Sequence, residues 1–418
     1  MIIARPKYME KLVKSMGRNQ GKVVTGLRRC GKSFLVFNLF KNYLLEQGVP
    51  ESNIFEMAFD RFSSRAYRDP DTFYQHVSEW AQSTKGQRYV LLDEVQLLGD
   101  FAEILIDLIA MDGIDVYVTG SNAKLLSRDV VTEFRGRGEE IPMAPLSFSE
   151  FMGAYSGDKR DGYEEYSVYG GLPGVLLRET PEEKADYLSG LYDELYVSDI
   201  VDRNGIRDTS NLEELIDVLS SGIGSLTNAS KLSATFKSKK NASIAQETIE
   251  HYISYLEDSF LIRRAKRYDV KGRRYIGTPF KFYFTDLGLR NARMNFRQVE
   301  ETHIMENVIY NELVGRGLGV DVGVVASSGK NELGKSQRMQ LEIDFVCNRG
   351  SKRYYIQSAF ALPSAEKIQQ EQRSLLKAND GFKKIIITKE GPAPYYNEDG
   401  IVMMNVYDFL LNPNSLDF

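Results

Sequence analysis

The chain has 418 residues, enough for about two or three domains that each bury a core of their own. Its formal net charge of -5 excludes a global basic field, so any nucleic acid would have to be met by a local patch. Two cysteines, Cys30 and Cys347, and three histidines argue against a disulfide framework or a zinc site. With no signal-peptide profile after Met1 and no apolar run of membrane-spanning length, a cytoplasmic protein without membrane contact is expected.

The first predicted element is a short buried strand, Lys22-Val23-Val24-Thr25, running into Gly26-Leu27-Arg28-Arg29-Cys30-Gly31-Lys32-Ser33. That octapeptide is the Gly-x-x-x-x-Gly-Lys-Ser phosphate loop, in which Gly26 and Gly31 let successive N–H groups curl around an anion. Lys32 supplies a point charge to the β- and γ-phosphates, and Ser33 a hydroxyl for Mg²⁺. The apolar helix that follows, with Phe34, Leu35, Phe37, Leu39, Phe40, Tyr43 and Leu44, aims its positive end at the same phosphates. Gly26, Leu27, Arg28, Arg29, Cys30, Gly31, Lys32, Ser33 and Phe34 are therefore the candidate contacts for ATP.

Next comes an apolar strand ending in two acids, Tyr89-Val90-Leu91-Leu92-Asp93-Glu94. Asp93 would hold Mg²⁺ through water, and Glu94 would polarise the attacking water, a role that hydrolysis needs beyond binding. A third strand, Val116-Tyr117-Val118-Thr119-Gly120, delivers Ser121-Asn122 to the same edge of a parallel sheet. Asn122 either reaches the γ-phosphate and lytic water or caps a turn. In Phe134-Arg135-Gly136-Arg137-Gly138, Arg135 and Arg137 either serve as arginine fingers or are solvated surface charges. A finger acting between subunits would require a homo-oligomer.

These motifs, with Pro145-Leu146-Ser147-Phe148-Ser149-Glu150-Phe151 and Tyr169-Gly170-Gly171-Leu172-Pro173, resemble the prokaryotic AAA-type ATPases that carry a C-terminal domain of unknown function. The resemblance implies an α/β fold with three parts. They are an AAA-like P-loop NTPase domain with a parallel sheet, a winged helix, and a C-terminal domain similar to restriction endonucleases. The expected divisions are an ATPase domain over 1–155, a helical linker or lid over 156–210, a winged helix over 211–292 and a nuclease-like domain over 293–418.

In the middle segment Leu226–Leu232 opens like a capped helix, and Ser243–Leu261 reads as an amphipathic one with Ile244, Ile249, Tyr252, Ile253 and Leu256 on one side. A basic hairpin follows, with Arg263, Arg264, Lys266, Arg267, Lys271, Arg273 and Arg274. Double-stranded DNA would meet that wing over 263–274. Glu247, Glu250, Glu257 and Asp258 on the preceding helix oppose phosphate binding, and pairing of the basic residues with acidic neighbours is the other outcome.

Beyond residue 293 the chain alternates helices and strands. Nucleases of the PD-(D/E)xK type hold Mg²⁺ between carboxylates and use a lysine to help activate water. Glu306 and Asp344 fit two of the positions, but Gln357 and Ala359 stand where the third carboxylate and the lysine belong. An inactive nuclease-like domain is expected. The leading expectation is an ATP-hydrolysing enzyme whose nucleotide state controls this half. The alternatives are a nucleotide-gated switch for DNA or protein with negligible turnover, and a Mg²⁺-dependent nuclease, which Gln357 and Ala359 disfavour.

Overall fold

The computed structural model describes residues 2–120, 138–193, 198–240, 244–297, 300–330 and 336–418. The chain forms two compact units whose main boundary lies between Pro145 and Leu146.

The first unit is built on a five-stranded sheet of β1 (Gly21–Gly26), β2 (Ile54–Ala58), β3 (Arg88–Asp93), β4 (Ile114–Gly120) and β5 (Gly138–Met143). The spatial order is β2-β3-β4-β1-β5 and every neighbouring pair is parallel. Burial explains the composition, because β1 and β4 are buried at every position, as central strands covered on both faces must be. One core cluster packs β2, β3 and β4 against the helices Pro70–Ser83 and Phe101–Ala110 through Phe55, Phe73, Val77, Val90, Leu92, Leu105 and Leu108. The helical stretch after the loop is α-helical over Lys32–Phe34 and Lys41–Glu46, with a π-helical segment Leu35–Phe40 between. Its buried apolar side chains are Leu35, Val36, Phe40 and Leu44.

The second unit carries an eight-stranded mixed sheet: β6 (Ile262–Asp269), β7 (Arg274–Phe284), β8 (Gly319–Lys330), β9 (Ser336–Arg349), β10 (Lys352–Ser358), β11 (Lys383–Thr388), β12 (Tyr395–Tyr396) and β13 (Val402–Asn405). Their order is β12-β13-β11-β10-β9-β8-β6-β7. The division expected at 292/293 therefore does not separate two sheets. The β6–β7 hairpin joins the C-terminal strands because β6 pairs in parallel with β8, Arg267 opposite Val322 and Asp269 opposite Val324. The parts expected at 156–210, 211–292 and 293–418 thus share one compact unit. The helix Gln246–Asp258 buries Ile249, Ile253 and Leu256, three of the positions its periodicity singles out.

The Tyr169–Pro173 motif is a seat for a buried acid. Asp286 accepts hydrogen bonds from the Gly171 N–H (2.8 Å) and the Leu289 N–H (3.1 Å). Gly170, at φ 74°, leaves room for this carboxylate, since a Cβ there would lie 2.4 Å from Asp286 Oδ1. Burial pushes the Asp286 carboxyl from the ordinary 3.8 up to about 6, against the opposing pull of its N–H donors. A raised carboxyl pKa means that the folded chain keeps a proton that the unfolded chain has released. Asp286 therefore stabilises the fold most below about pH 4, and that contribution is lost as pH rises to about 6. Urea melts of Asp286→Asn across that window should show a flatter pH slope. They should also show lower absolute stability, by about 1–3 kcal/mol, because one backbone N–H then faces an amide NH₂.

Candidate active site

The phosphate loop is held in shape by its backbone and by two neighbours. Gly26 has φ 140°, and a Cβ on it would stand 2.0 Å from the Met143 carbonyl oxygen of β5. The glycine is thus required by the close approach of β5 as well as by the anion's needs. Gly26→Ala is expected to lose ATP binding and to lower the melting temperature, read by nucleotide titration and by thermal denaturation. Arg29 (φ 63°) and Gly31 (φ 102°) complete the turn in left-handed conformations. Leu27 and Cys30 bury their side chains completely, so only their backbone is offered to a ligand, whereas Arg29, Ser33 and Phe34 are exposed.

Arg5 clasps this loop from the N-terminal side. It is 4% exposed, and its guanidinium donates to the Cys30 carbonyl (3.2 Å) and to the Ala144 carbonyl (2.7 Å), tying the loop to the chain leaving β5. Lys32 is buried and donates to the carbonyls of Gly26 and Leu27, both at 3.0 Å. Its ammonium therefore lies inside the curl of the loop.

The order of the sheet brings the second motif to the same edge. β3 is separated from β1 by β4, so the ends of three parallel strands converge. Ser33 Oγ donates to Asp93 Oδ1 at 2.9 Å, and Thr119 Oγ1 donates to the same oxygen. Asp93 is 5% exposed, and burial pushes its carboxyl up while the two hydroxyls pull it down. Glu94 follows at φ 51° and ψ 47°. Its N–H donates to Thr119 Oγ1 at 3.2 Å, and its carboxylate accepts from the Gln96 amide.

Ser33 and Asp93 fit a magnesium ion. A hydroxyl and a carboxylate, both oxygen donors, already share one hydrogen bond at the mouth of the loop, which suits a hard cation. Bound there with ATP, the ion would neutralise charge on the β- and γ-phosphate oxygens.

Thr119 is the residue that the sequence reading passed over. Its hydroxyl links Asp93 to the Glu94 backbone, and the available signal was a polar residue at the C-terminal end of the apolar run Val116-Tyr117-Val118. Asn122, Arg135 and Arg137 lie outside the described residues.

In the second unit the basic hairpin is partly neutralised. Arg264 pairs with Glu257 (3.0 Å) and Glu250 (3.3 Å) and stacks over Phe280, while Arg267 bonds Gln340. Lys266, Lys271, Arg273 and Arg274 remain exposed. Glu306 and Asp344 do come together, around Lys281 of β7, whereas Gln357 and Ala359 supply neither acid nor lysine.

Comparison with known proteins places this site in a class. Residues 18–152 match the model of an AAA domain, and residues 160–300 match a domain of unknown function (DUF8612). The fold and the match define an AAA-type, P-loop ATPase class of nucleotide-binding protein with an additional C-terminal α/β unit. The chain belongs to the same family as an uncharacterized protein of Haemophilus influenzae, with 34% identity across 98% of this chain and 99% of that one. An uncharacterized protein of Methanocaldococcus jannaschii is 24% identical over 93% of this chain and 85% of its own length. Among solved structures, the Aeropyrum pernix ORC1 protein in complex with DNA aligns over 71% of this chain and 93% of its own. Its TM-score of 0.31 and 12% identity are too low to transfer a function. Among the described residues, no helix is long and apolar enough to cross a membrane.

Proposed function

We propose that the chain hydrolyses ATP with Mg²⁺, and that Gly26–Ser33 hold the phosphates while Asp93 and Glu94 serve the metal and the attacking water. The convergence of Ser33 and Thr119 on one carboxylate oxygen of Asp93 carries this reading, because it puts the loop hydroxyl and the strand acid in direct contact. Phosphate release by Lys32→Ala and Glu94→Gln proteins tests it. Turnover unchanged in both would remove it.

A coupled role for the second unit goes with this. The helices Ser210–Ser221, Ala229–Lys240 and Gln246–Asp258 are followed by the β6–β7 hairpin, and Thr227 bridges Phe280 of β7. This succession supports a winged helix whose hairpin also edges the larger sheet. Contact with double-stranded DNA would then rest on Lys266, Lys271, Arg273 and Arg274, since Arg264 is committed to Glu250 and Glu257. Nucleotide state would bias such contact by ordering or releasing neighbouring segments.

A further inference from the structure

We propose that the Lys281 ammonium is the resident cation of the carboxylate cluster on the C-terminal sheet, occupying the place where a nuclease-like fold would hold a divalent metal. Three elements deliver the cluster. In β7 the alternation Phe280-Lys281-Phe282-Tyr283-Phe284 sends Lys281 and Tyr283 to one face. In β9, Glu342 and Asp344 share a face by the same period, and Glu306 comes from the helix Glu301–Gly315.

Lys281 Nζ lies 2.8 Å from Glu306 Oε1, 2.8 Å from Glu342 Oε1 and 3.7 Å from Asp344 Oδ1. Tyr283 OH also donates to Glu306 Oε1, at 2.6 Å, and the second oxygen of Asp344 accepts the Ser358 N–H at 2.8 Å. The carboxylate oxygens at the centre are thus committed to proton donors. Mg²⁺ and Ca²⁺ bind oxygens at about 2.0–2.6 Å. An ion bridging Glu306 and Glu342 at that range would need the space that Nζ holds, and two cations would then meet without an anion between them.

Burial makes the arrangement hard to exchange. The side chains of Lys281 and Glu306 are 5% and 8% exposed, so neither can swing into water to make way for an ion, while Glu342 at 34% sits at the rim. The donor set therefore does not fit the metal that the nuclease resemblance implies. The lysine absent at Ala359 is not restored by Lys281 in a catalytic sense, because Lys281 neutralises the acids a metal would require.

Mn²⁺ titration of the full chain without nucleotide, followed by electron paramagnetic resonance, tests this. Wild type and Asp344→Asn should bind Mn²⁺ equally, since the cluster contributes nothing in either. Lys281→Ala should gain one additional Mn²⁺ per chain, and Lys281→Ala/Asp344→Asn should lose it again. Any contribution of Ser33 and Asp93 is common to all four proteins and cancels. A wild-type Mn²⁺ site abolished by Asp344→Asn would overturn the proposal, as would a folded Lys281→Ala protein that gains no ion. Should Lys281→Ala fail to fold, the comparison of wild type with Asp344→Asn decides alone, equal binding supporting the proposal and loss overturning it.

Discussion

Glu94→Gln is expected to bind ATP as wild type does and to hydrolyse it about 10²–10⁴-fold more slowly, the usual worth of a positioned general base. The substitution keeps the shape and the hydrogen bond with Gln96 while removing the charge that would polarise water. Lys32→Ala should instead lose binding, because the proposed phosphate seat would lose the buried ammonium that the loop holds through the Gly26 and Leu27 carbonyls. Backbone strain adds a second, independent arm. Glu94 sits in the left-handed region, which costs an ordinary residue about 1–2 kcal/mol. Glycine accepts that conformation freely, so Glu94→Gly should be as stable as wild type or more so, and inactive. Equilibrium binding, steady-state phosphate release and thermal melts of the three variants separate these effects. A Glu94→Gly protein that melts well below wild type would show that the strain is compensated by packing instead of being held for the site.

What could be read in advance divides along a physical line. The phosphate loop and the Asp93-Glu94 strand end are contiguous motifs, whose residues are neighbours in sequence because the chemistry demands a local backbone shape. The alternation of helices and strands beyond residue 293 was legible for a related reason, since period-2 and period-3.6 patterns are local. Contacts set by sheet order were hidden. Arg5 meets Cys30 and Ala144, Thr119 meets Asp93, and Lys281 meets Glu306 and Glu342 only because particular strands and helices lie side by side. The hairpin is the instructive case. Its basic composition left a DNA-facing wing and pairing with acidic neighbours both open, and Arg264 turns to Glu250 and Glu257 of the preceding helix while β6 pairs with β8. Composition gives the charge of a segment but not what lies across from it.

Asp115→Ala is expected to cost the first unit about 3–5 kcal/mol, the penalty for leaving half of a buried ion pair uncompensated. Lys22 stands in the interior strand β1 with its side chain 0% exposed, paired with Asp115 of the adjacent β4, itself 3% exposed. The carboxylate also accepts the Tyr117 hydroxyl and the Gly17 N–H, both at 3.0 Å, and the Lys22 ammonium lies 5.2 Å from the centre of the Tyr117 ring. Removing Asp115 therefore strands a buried cation and a buried phenol, neither with water to replace the lost partner, and also takes the acceptor from the N–H of the exposed Gly17. The pair need not stabilise the fold relative to apolar residues. Two charges withdrawn from water regain by attraction roughly what desolvation costs, so Lys22→Met/Asp115→Leu should recover most of the loss. Urea denaturation of the single and double variants closes the cycle. A double variant as unstable as Asp115→Ala would mean that the Gly17 and Tyr117 hydrogen bonds, and not the stranded lysine, set the cost.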